Sequence, residues 1–320
     1  MVFFQLPDTL EILTLNENKG QDEFSLISFD AKEKLSFSGT LQSISEEELR
    51  SYPLSIKDLS PSPPLREETK EDYLLKTQKA IEWTKKNQLE KLVLSRRKIV
   101  SIDSLSLAES FLSLKAAYPS ALTYLIIKDK ECWMGAFSEL LGSYDQKSKE
   151  FKTMALAGTL PLEHEWSEKE IKEQAAVTSY VRDVVSKENS EFKESQPYSH
   201  PSGRIKHLRV DFSTTLEKEQ VEPLIKELHP TPAVLGRPKE LCLEAIHTFE
   251  PYPREYYAGY LLIKQKEKTL AYVNLRCARI YIDKAHLFVG GGITPQSNPE
   301  TEWEETELKS RAVLDHLKKG

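Results

Sequence analysis

The sequence predicts a mixed α+β protein built on antiparallel sheets. Its 320 residues are 39% hydrophobic and 29% charged, which is typical of a globular chain with enough apolar residues for a sizeable core. Alternating strands follow one another across short turns, whereas the amphipathic helices occur in blocks between groups of strands. This arrangement favours antiparallel pairing over the regular strand–helix alternation of a doubly wound parallel sheet.

Charge and cysteine usage exclude several classes of protein. There are 44 Lys and Arg residues against 50 Asp and Glu residues, so the net charge of −6 gives no basic surplus for a nucleic-acid partner. Cys132, Cys242 and Cys277 lie in apolar segments and are expected to be buried thiols rather than disulfides or metal ligands. No signal-like N-terminus and no long apolar run are visible, so we expect a cytoplasmic protein without membrane contact.

The first 65 residues are expected to form part of the same fold as the larger region at 66–320. Short strands are predicted at 24–29 and 34–41. A Pro- and Ser-rich connection without regular structure follows at 51–65.

Hydrophobic periodicity predicts the remaining elements in order. A capping box of Ser167 and Glu170 opens one of the helices, and Asn298 followed by proline opens the last. The polar stretch 188–203, with two prolines, is expected to be a loop. Helices are predicted from Arg66 to Thr84 and at 105–118, 167–187, 217–228, 238–248 and 299–318. Strands are predicted at 91–95, 121–128, 131–137, 151–158, 205–212, 256–264, 269–282 and 286–290, with an extended loop at 229–238.

The most distinctive local pattern is a run of three glycines, Gly290 to Gly292, that leaves a strand ahead of an acidic helix. Their backbone N–H groups could form an anion-binding nest. Glu302, Glu305 and Lys309 follow at spacings that place them on one helix face, which suits a metal ion bound beside an anionic substrate. The alternative is a solvated acidic helix behind a tight turn.

A second acidic pair, Glu170 and Glu173, lies one helical turn apart on another helix. Glu170 has a structural role in the capping box, and an exposed glutamate on a helix is common. Two glutamates from separate helices would nevertheless suit Mg²⁺, which takes one or two carboxylates and keeps its other positions for water and substrate.

Three further residues have chemical potential that the sequence alone leaves open. Arg276 lies in an apolar strand, where it either faces solvent or forms a carboxylate clamp. Lys91 and Glu139 could serve as a base and an acid, but nothing in their spacing establishes contact.

Together these segments resemble the chorismate-utilising enzymes, a family that includes isochorismate synthase, salicylate synthase and the large subunits of anthranilate and aminodeoxychorismate synthase. The resemblance implies two large antiparallel sheets packed together, with helices outside and the active site in a cleft. Eight blocks between residues 66 and 320 carry it: KLVLSR (91–96), GAFSELL (135–141), ALAGTLP (155–161), SEKEIKEQAAV (167–177), HPTPAVLGRP (229–238), FEPYPREYYAG (249–259), NLRCARI (274–280) and GGGITPQSNPETEWEETELK (290–309).

The resemblance also narrows the reaction, with isochorismate synthase as its closest match. The position of Lys91 is a lysine where water attacks the chorismate ring and typically a glutamine in anthranilate synthases. Aminodeoxychorismate synthases commonly carry a lysine where this chain has Ala157, before Gly158 and Thr159. Water is therefore the implied nucleophile, as in isochorismate synthase or in salicylate synthase, which also eliminates pyruvate. A catalytically silent chorismate-binding subunit is a further alternative.

In the implied mechanism Lys91 is the base for water and Glu139 donates a proton to the departing C4 hydroxyl. We expect the pKa of Lys91 to lie below its usual ~10.4 and the pKa of Glu139 to be raised by its apolar surroundings. Mg²⁺ would be held by Glu173 and Glu305, with Glu170 and Glu302 acting through water. Substrate contacts are implied for Gly158, Thr159, Ala233, Arg276, Gly290, Gly292 and Lys309.

The resemblance bears on specificity and partners as well. His229, Ala233 and Leu235 would lie near the pyruvyl side of chorismate. A reaction with water as the nucleophile needs no ammonia, so no glutamine amidotransferase subunit is expected. A monomer is the default expectation. Whether the product enters menaquinone or siderophore biosynthesis is open.

Overall fold

Two antiparallel sheets, named A and B, form the framework of the protein in a computed structural model that describes residues 1–16, 20–202 and 205–320. The strands are β1 (Val2–Gln5), β2 (Ile12–Asn16), β3 (Asp22–Ile27), β4 (Lys34–Ile44), β5 (Lys91–Ser101), β6 (Leu122–Lys128), β7 (Glu131–Phe137), β8 (Leu140–Asp145), β9 (Glu150–Pro161), β10 (Phe192–Glu194), β11 (Tyr198–Ser202), β12 (Ile205–Thr215), β13 (Gly236–Arg237), β14 (Tyr260–Lys264), β15 (Lys268–Val273), β16 (Cys277–Ile280) and β17 (Lys284–Ile293). The helices are α1 (Glu46–Ser51), α2 (Lys70–Lys86), α3 (Leu107–Ala117), α4 (Glu168–Glu188), α5 (Lys218–Leu228), α6 (Lys239–Phe249) and α7 (Pro299–Leu314), with a 3₁₀ turn at Ile56–Asp58.

The order of strands confirms the predicted α+β class with two large antiparallel sheets. Sheet A runs β4–β2–β1–β6–β7–β16–β17–β5–β13. Sheet B runs β4–β3–β14–β15–β8–β9–β12, and both β10 and β11 pair with β12. The long strand β4 belongs to both sheets, because residues 34–39 pair with β3 and residues 40–44 pair with β2. The first 65 residues therefore supply strands to each sheet.

The core lies between the sheets, and several strands of sheet A are buried on both faces. In β1, Val2 and Phe4 join the inter-sheet core, where Phe4 packs on Phe24 of sheet B at a ring-centroid distance of 4.9 Å. The intervening Phe3 points to the opposite face, into a second cluster that contains Phe111 of α3. Side chains alternate across a strand, so such doubly buried strands read as continuous apolar runs.

Helices α4 and α7 begin close to their predicted caps, whereas α2 begins later than predicted. Helix α2 begins at Lys70 rather than at Arg66, because Thr69 caps it in a capping box with Asp72. Asn298 caps α7 by accepting from the Thr301 N–H at 3.2 Å. Helix α4 begins at Glu168, and the Glu170 carboxylate accepts from the backbone N–H of Ser167 at 3.2 Å. Among the described residues no helix is long and apolar enough to cross a bilayer. The three cysteines are buried free thiols, as expected.

Two of the predicted connections are wrong. Residues 188–203 were expected to form a loop, but β10 and β11 lie there and pair with β12 at the rim of sheet B. Rim strands of this kind tolerate polar residues and proline, which hide the strand signal. Strand β8 follows β7 after a two-residue break, where a turn alone was expected.

The predicted continuous strand at 269–282 is also wrong. The chain leaves sheet B at Val273 and enters sheet A at Cys277. At this corner the buried amide of Asn274 donates to the Tyr256 carbonyl at 2.8 Å and accepts from the Tyr124 hydroxyl at 2.9 Å. Apolar residues continue through the corner, so periodicity gave no sign of it.

A buried ion pair fixes the end of the sheets where the functional cavity lies. The side chains of Glu250 and Arg254 are 3% and 1% exposed, and their closest atoms are 2.6 Å apart. Arg254 also donates to the carbonyls of Val234 and Val93, both at 2.8 Å. Glu250 accepts from the backbone N–H of Ser95 at 2.7 Å. The pair thereby ties helix α6 to strand β5 and to the loop before β13.

Candidate active site

A cavity of about 190 Å³ lies between the sheets, and helices α4 and α7 contribute to its wall. Sheet A contributes β5, the end of β7 and β17, while sheet B contributes β9 and β12. The predicted site residues that line it are Lys91, Glu139, Gly158, Thr159, Glu170, Glu173, Ala233, Arg276, Gly290, Gly292, Glu305 and Lys309. Of the residues with an implied role in catalysis, substrate contact or metal binding, Glu302 lies outside this lining.

Lys91 opens strand β5 and extends its side chain across strand β17. Its Nζ atom lies 2.5 Å from Oε1 of Glu173, so the predicted base and a predicted metal ligand form an ion pair. The Lys91 side chain passes directly over Gly292, where a Cβ atom would lie 2.5 Å from Cε of Lys91. Glycine at this position therefore makes room for the lysine side chain.

The expectation of an anion-binding nest at Gly290 to Gly292 is wrong. All three glycines lie inside β17 and pair with residues 93–95 of β5. None of them has a positive φ, which a nest would require. Gly290 and Gly292 serve close packing instead, since a Cβ atom on Gly290 would lie 2.7 Å from the hydroxyl oxygen of Tyr257 and one on Gly292 would lie 2.5 Å from Cε of Lys91.

The Glu139 carboxyl lies between β7 and β8 and is buried. Burial raises its pKa from 4.5 to about 7, although a hydrogen bond from Thr231 and the charge of Lys91 act in the opposite direction. The Thr231 hydroxyl donates to Oε1 of Glu139 at 3.4 Å. The expected rise in pKa is confirmed, and the group can hold a proton near neutral pH.

The acidic residues of α4 and α7 have distinct surroundings. Glu170 accepts from the Ser167 hydroxyl at 2.5 Å, in keeping with its structural role. Glu302 is only 3% exposed and accepts from the Ser297 hydroxyl at 2.7 Å, so the alternative of a fully solvated acidic helix is wrong. Glu305 pairs with Lys309 at 2.6 Å. Lys309 also donates to the carbonyl of Gly290 at 2.9 Å, which ties α7 to β17.

The donor set of the cavity suits a hard cation. Glu170, Glu173 and Glu305 supply carboxylate oxygens from two helices, which is the ligand type that Mg²⁺ prefers. Each of Glu173 and Glu305 is neutralised by a lysine amine in this structure. No preformed cluster of three His, Cys, Asp or Glu ligands occurs among the described residues.

Arg276 provides positive charge on the wall of the cavity. It stands at the corner between β15 and β16 with a left-handed backbone (φ +45°), so the alternative of a solvent-facing arginine on a strand is wrong. Burial lowers the pKa of its guanidinium. No carboxylate forms an ion pair with it in the described part of the chain, which leaves it available to an anionic ligand.

His207 lines the cavity and was not identified from the sequence. Strand β9 has a bulge at Gly158 (φ +72°) opposite His207, and Nδ1 of the imidazole donates to the Gly158 carbonyl at 3.0 Å. Burial, then the charge of Arg276, lowers the pKa of His207 to about 4, so the ring is neutral at pH 7. Its only sequence signal was a polar residue in an alternating strand.

Only one of the three residues expected near the pyruvyl side lines the cavity. Ala233 does so, whereas His229 and Leu235 do not. Nε2 of His229 bonds with the Phe29 carbonyl at 2.9 Å, and Leu235 packs in a cluster with residues of α2 and α6. The expectation for His229 and Leu235 is therefore wrong.

Comparison with known proteins adds family information to this geometry. The family model described as chorismate binding enzyme matches residues 13–318. Isochorismate synthase EntC of Escherichia coli is 30% identical over 71% of this chain and 62% of its own length. Isochorismate synthase MenF of the same organism is 29% identical over 59% of this chain. The match spans 46% of the length of MenF, so the chain covers about half to three fifths of these curated relatives.

Solved structures share the fold. The menaquinone-specific isochorismate synthase MenF from Escherichia coli superposes with a TM-score of 0.81 at 20% identity, over 99% of this chain and 88% of that chain. Anthranilate synthase component I from Streptococcus pneumoniae gives a TM-score of 0.72 at 17% identity, over 91% and 80%. At these identities the likeness concerns the fold, and it confirms the anthranilate synthase-like architecture.

The buried carboxyl predicts a pH-dependent stability difference between the parent protein and Glu139→Gln. Between pH 4.5 and about 7 the folded state holds the Glu139 proton more tightly than the unfolded chain, so this group's contribution to stability falls as pH rises. The loss amounts to about 3 kcal/mol above pH 7. Glu139→Gln lacks this titration and should gain that much relative to the parent between pH 4.5 and 8, as measured by urea unfolding.

Glu304→Gln is the matched control, because Glu304 is exposed. Its stability relative to the parent should stay constant within a few tenths of a kcal/mol over the same range. A difference between Glu139→Gln and the parent that does not change with pH would contradict the buried, proton-holding state of Glu139.

Proposed function

The chain belongs to the family of chorismate-binding enzymes, and we propose that it is an isochorismate synthase. In this proposal it is an isomerase that converts chorismate to isochorismate by attack of water at C2 and loss of the C4 hydroxyl. The observation that carries the proposal is one cavity that contains both the amine of Lys91 and the buried carboxyl of Glu139. The relatives that carry the name isochorismate synthase support it.

Lys91 and Glu139 would divide the proton transfers of the reaction. As the water oxygen bonds to C2, its proton passes to Lys91, the two ring double bonds shift, and the C4–O bond breaks. The departing hydroxyl takes the proton of Glu139 and leaves as water, so one water enters and one leaves. An acid with a pKa of about 7 is well matched to a reaction near neutral pH.

The cavity offers cations for a dianionic substrate. Arg276 supplies a guanidinium that pairs with no carboxylate among the described residues, and the Lys309 amine stands on the wall formed by α7 and β17. His207 fixes the bulge at Gly158 and thereby places the backbone of Gly158 and Thr159 toward the substrate. Ala233, in the loop before β13, adds an apolar surface to the lining of the cavity.

We further propose that Glu173 and Glu305 hold Mg²⁺, with Glu170 and Glu302 acting through water. When bound, Mg²⁺ would withdraw charge from a substrate carboxylate and make the conjugated ring a better acceptor of electrons. Lys91 can act as a base only as the neutral amine, so its ion pair with Glu173 has to break during turnover. Binding of the Glu173 carboxylate to Mg²⁺ would replace that ion pair.

The remaining features of the proposal follow from the chemistry. Water as nucleophile needs no amidotransferase subunit, and the buried free thiols fit a reducing cytoplasm. One relative is named a menaquinone-specific isochorismate synthase and another a vibriobactin-specific one, so we propose that isochorismate supplies either menaquinone or siderophore biosynthesis.

The direct test is the product formed from chorismate with Mg²⁺. Chromatography should show isochorismate without release of pyruvate, chelation by EDTA should abolish turnover, and added Mg²⁺ should restore it. Salicylate with stoichiometric pyruvate would identify a salicylate synthase instead. Binding of chorismate by calorimetry without any turnover would identify a silent subunit.

The role of Lys91 predicts a specific kinetic pattern. Lys91→Ala should lower kcat by about 10²–10⁴-fold while chorismate binding changes little, since general-base catalysis contributes that range. Lys91→Gln should be comparably slow. If Lys91 only pairs with a substrate carboxylate, Lys91→Arg would keep much of the activity and Lys91→Ala would chiefly raise KM.

The strand beneath Lys91 offers a matched pair of variants. Gly292→Ala places its Cβ atom 2.5 Å from Cε of Lys91 and should displace the amine, whereas Gly291→Ala meets its nearest atom at 3.4 Å. Because the obstructed atom belongs to a flexible side chain, Gly292→Ala should fold and lose about tenfold or more in kcat. Gly291→Ala should stay within about threefold of the parent. Equal kcat values for the two variants would argue against a catalytic role for the position of Lys91.

A further inference from the structure

A second space adjoins the cavity of the active site. This outer groove has a volume of about 1230 Å³ and runs between the end of α2, the first half of α4, the loop at 232–238 and residues 294–296. Among the residues that the structure describes, Lys91 and Glu173 alone line both the outer groove and the inner cavity. The two spaces therefore meet at the proposed base.

The Lys91–Glu173 ion pair forms the partition between these spaces. The Nζ atom of Lys91 lies 2.5 Å from Oε1 of Glu173, and the two side chains are 15% and 23% exposed, respectively. The backbone on one side is fixed, since Lys91 pairs with Arg237 of β13. The residues that line both spaces are thus the two partners of this ion pair.

We propose that the outer groove is the route by which the attacking water reaches Lys91, separate from the route of the substrate. The inference rests on the proposed function and adds to it the source of the nucleophile. Water that arrives through the groove meets the Lys91 amine before it meets the substrate. The base can then bind and orient the water while chorismate fills the inner cavity.

The ion pair that separates the two spaces favours water over chorismate as the molecule that passes. A water molecule has a share of liquid volume of about 30 Å³, and it needs polar partners along its path. The groove offers such partners in Gln88, Thr294 and Gln296. A dianion with a six-membered ring would have to force the base away from a proposed metal ligand, and would pass the site where it must react.

Two substitutions on opposite walls of the groove test the route. Ala176 lies on α4 one turn beyond Glu173, and Gln296 is exposed on the facing segment. Ala176→Trp and Gln296→Trp should each obstruct the groove without touching the inner cavity. Ala116→Trp makes the same change as the first variant at an exposed position of α3 that lines neither space, and serves as the control.

Each variant is measured in two ways. In the first, kcat with Mg²⁺ should fall about tenfold for both groove variants, while the Kd for chorismate by calorimetry stays within about twofold. In the second, carbamylation of Lys91 by cyanate in the metal-free protein, followed by peptide mass spectrometry, should slow by about tenfold as well. Ala116→Trp should match the parent in both. If Ala176→Trp fails to fold, Gln296→Trp alone tests the proposed route.

Three results would overturn the proposal. A raised KM with unchanged kcat would make the groove the entrance for chorismate. Unchanged kcat and carbamylation in both groove variants would show that the groove is no access route. Slower carbamylation with unchanged kcat would show access to Lys91 that catalysis does not use. Carbamylation needs no turnover, so failure of the proposed function, seen as the wrong product from the parent protein, is recognised separately.

Discussion

The active-site cavity depends on one buried ion pair, Glu250 with Arg254. Two charges withdrawn from water are costly unless every polar atom finds a partner, and here the carboxylate and the guanidinium both do so. The partners of Arg254 include the carbonyls of Val93 and Val234, which belong to residues that line the cavity. The pair therefore acts at a distance from the chemistry by fixing strand β5, and with it Lys91, against the loop that carries Thr231 and Ala233.

A space between two packed sheets also requires local departures from regular structure. The chain turns out of sheet B at Asn274 and presents Arg276 from a left-handed backbone, a conformation that costs roughly 1–3 kcal/mol for a residue with a side chain. Strand β9 bulges at Gly158, and β17 carries glycines where Lys91 crosses it. Each departure aims or admits a polar or charged side chain, so the irregular positions of the fold coincide with its polar cavity.

Local signals in the sequence predicted most helices, because caps and apolar periodicity are properties of neighbouring residues. They did not predict β10 and β11, whose pairing with β12 is set by tertiary contacts, nor the corner at Asn274, through which apolar residues continue. The glycines of β17 suggested an anion-binding nest, but they lie in a regular strand. A sequence shows where side chains are missing, but it does not show which neighbouring atoms fill that space. The assembly of Lys91, Glu139 and the glutamates in one cavity followed from the family resemblance, and His207 was missed because its partner, Gly158, lies on another strand.

The central claim is that water attacks C2 of chorismate with Lys91 as the base, and isotope labelling tests it most directly. The reaction is run in water enriched in ¹⁸O, and the product is analysed by mass spectrometry at early time points. The account predicts isochorismate that carries ¹⁸O in its C2 hydroxyl, with label appearing at the rate of product formation in the parent protein and far more slowly in Lys91→Ala. Isochorismate without label would show that the C4 hydroxyl migrates within the substrate, and would contradict the account.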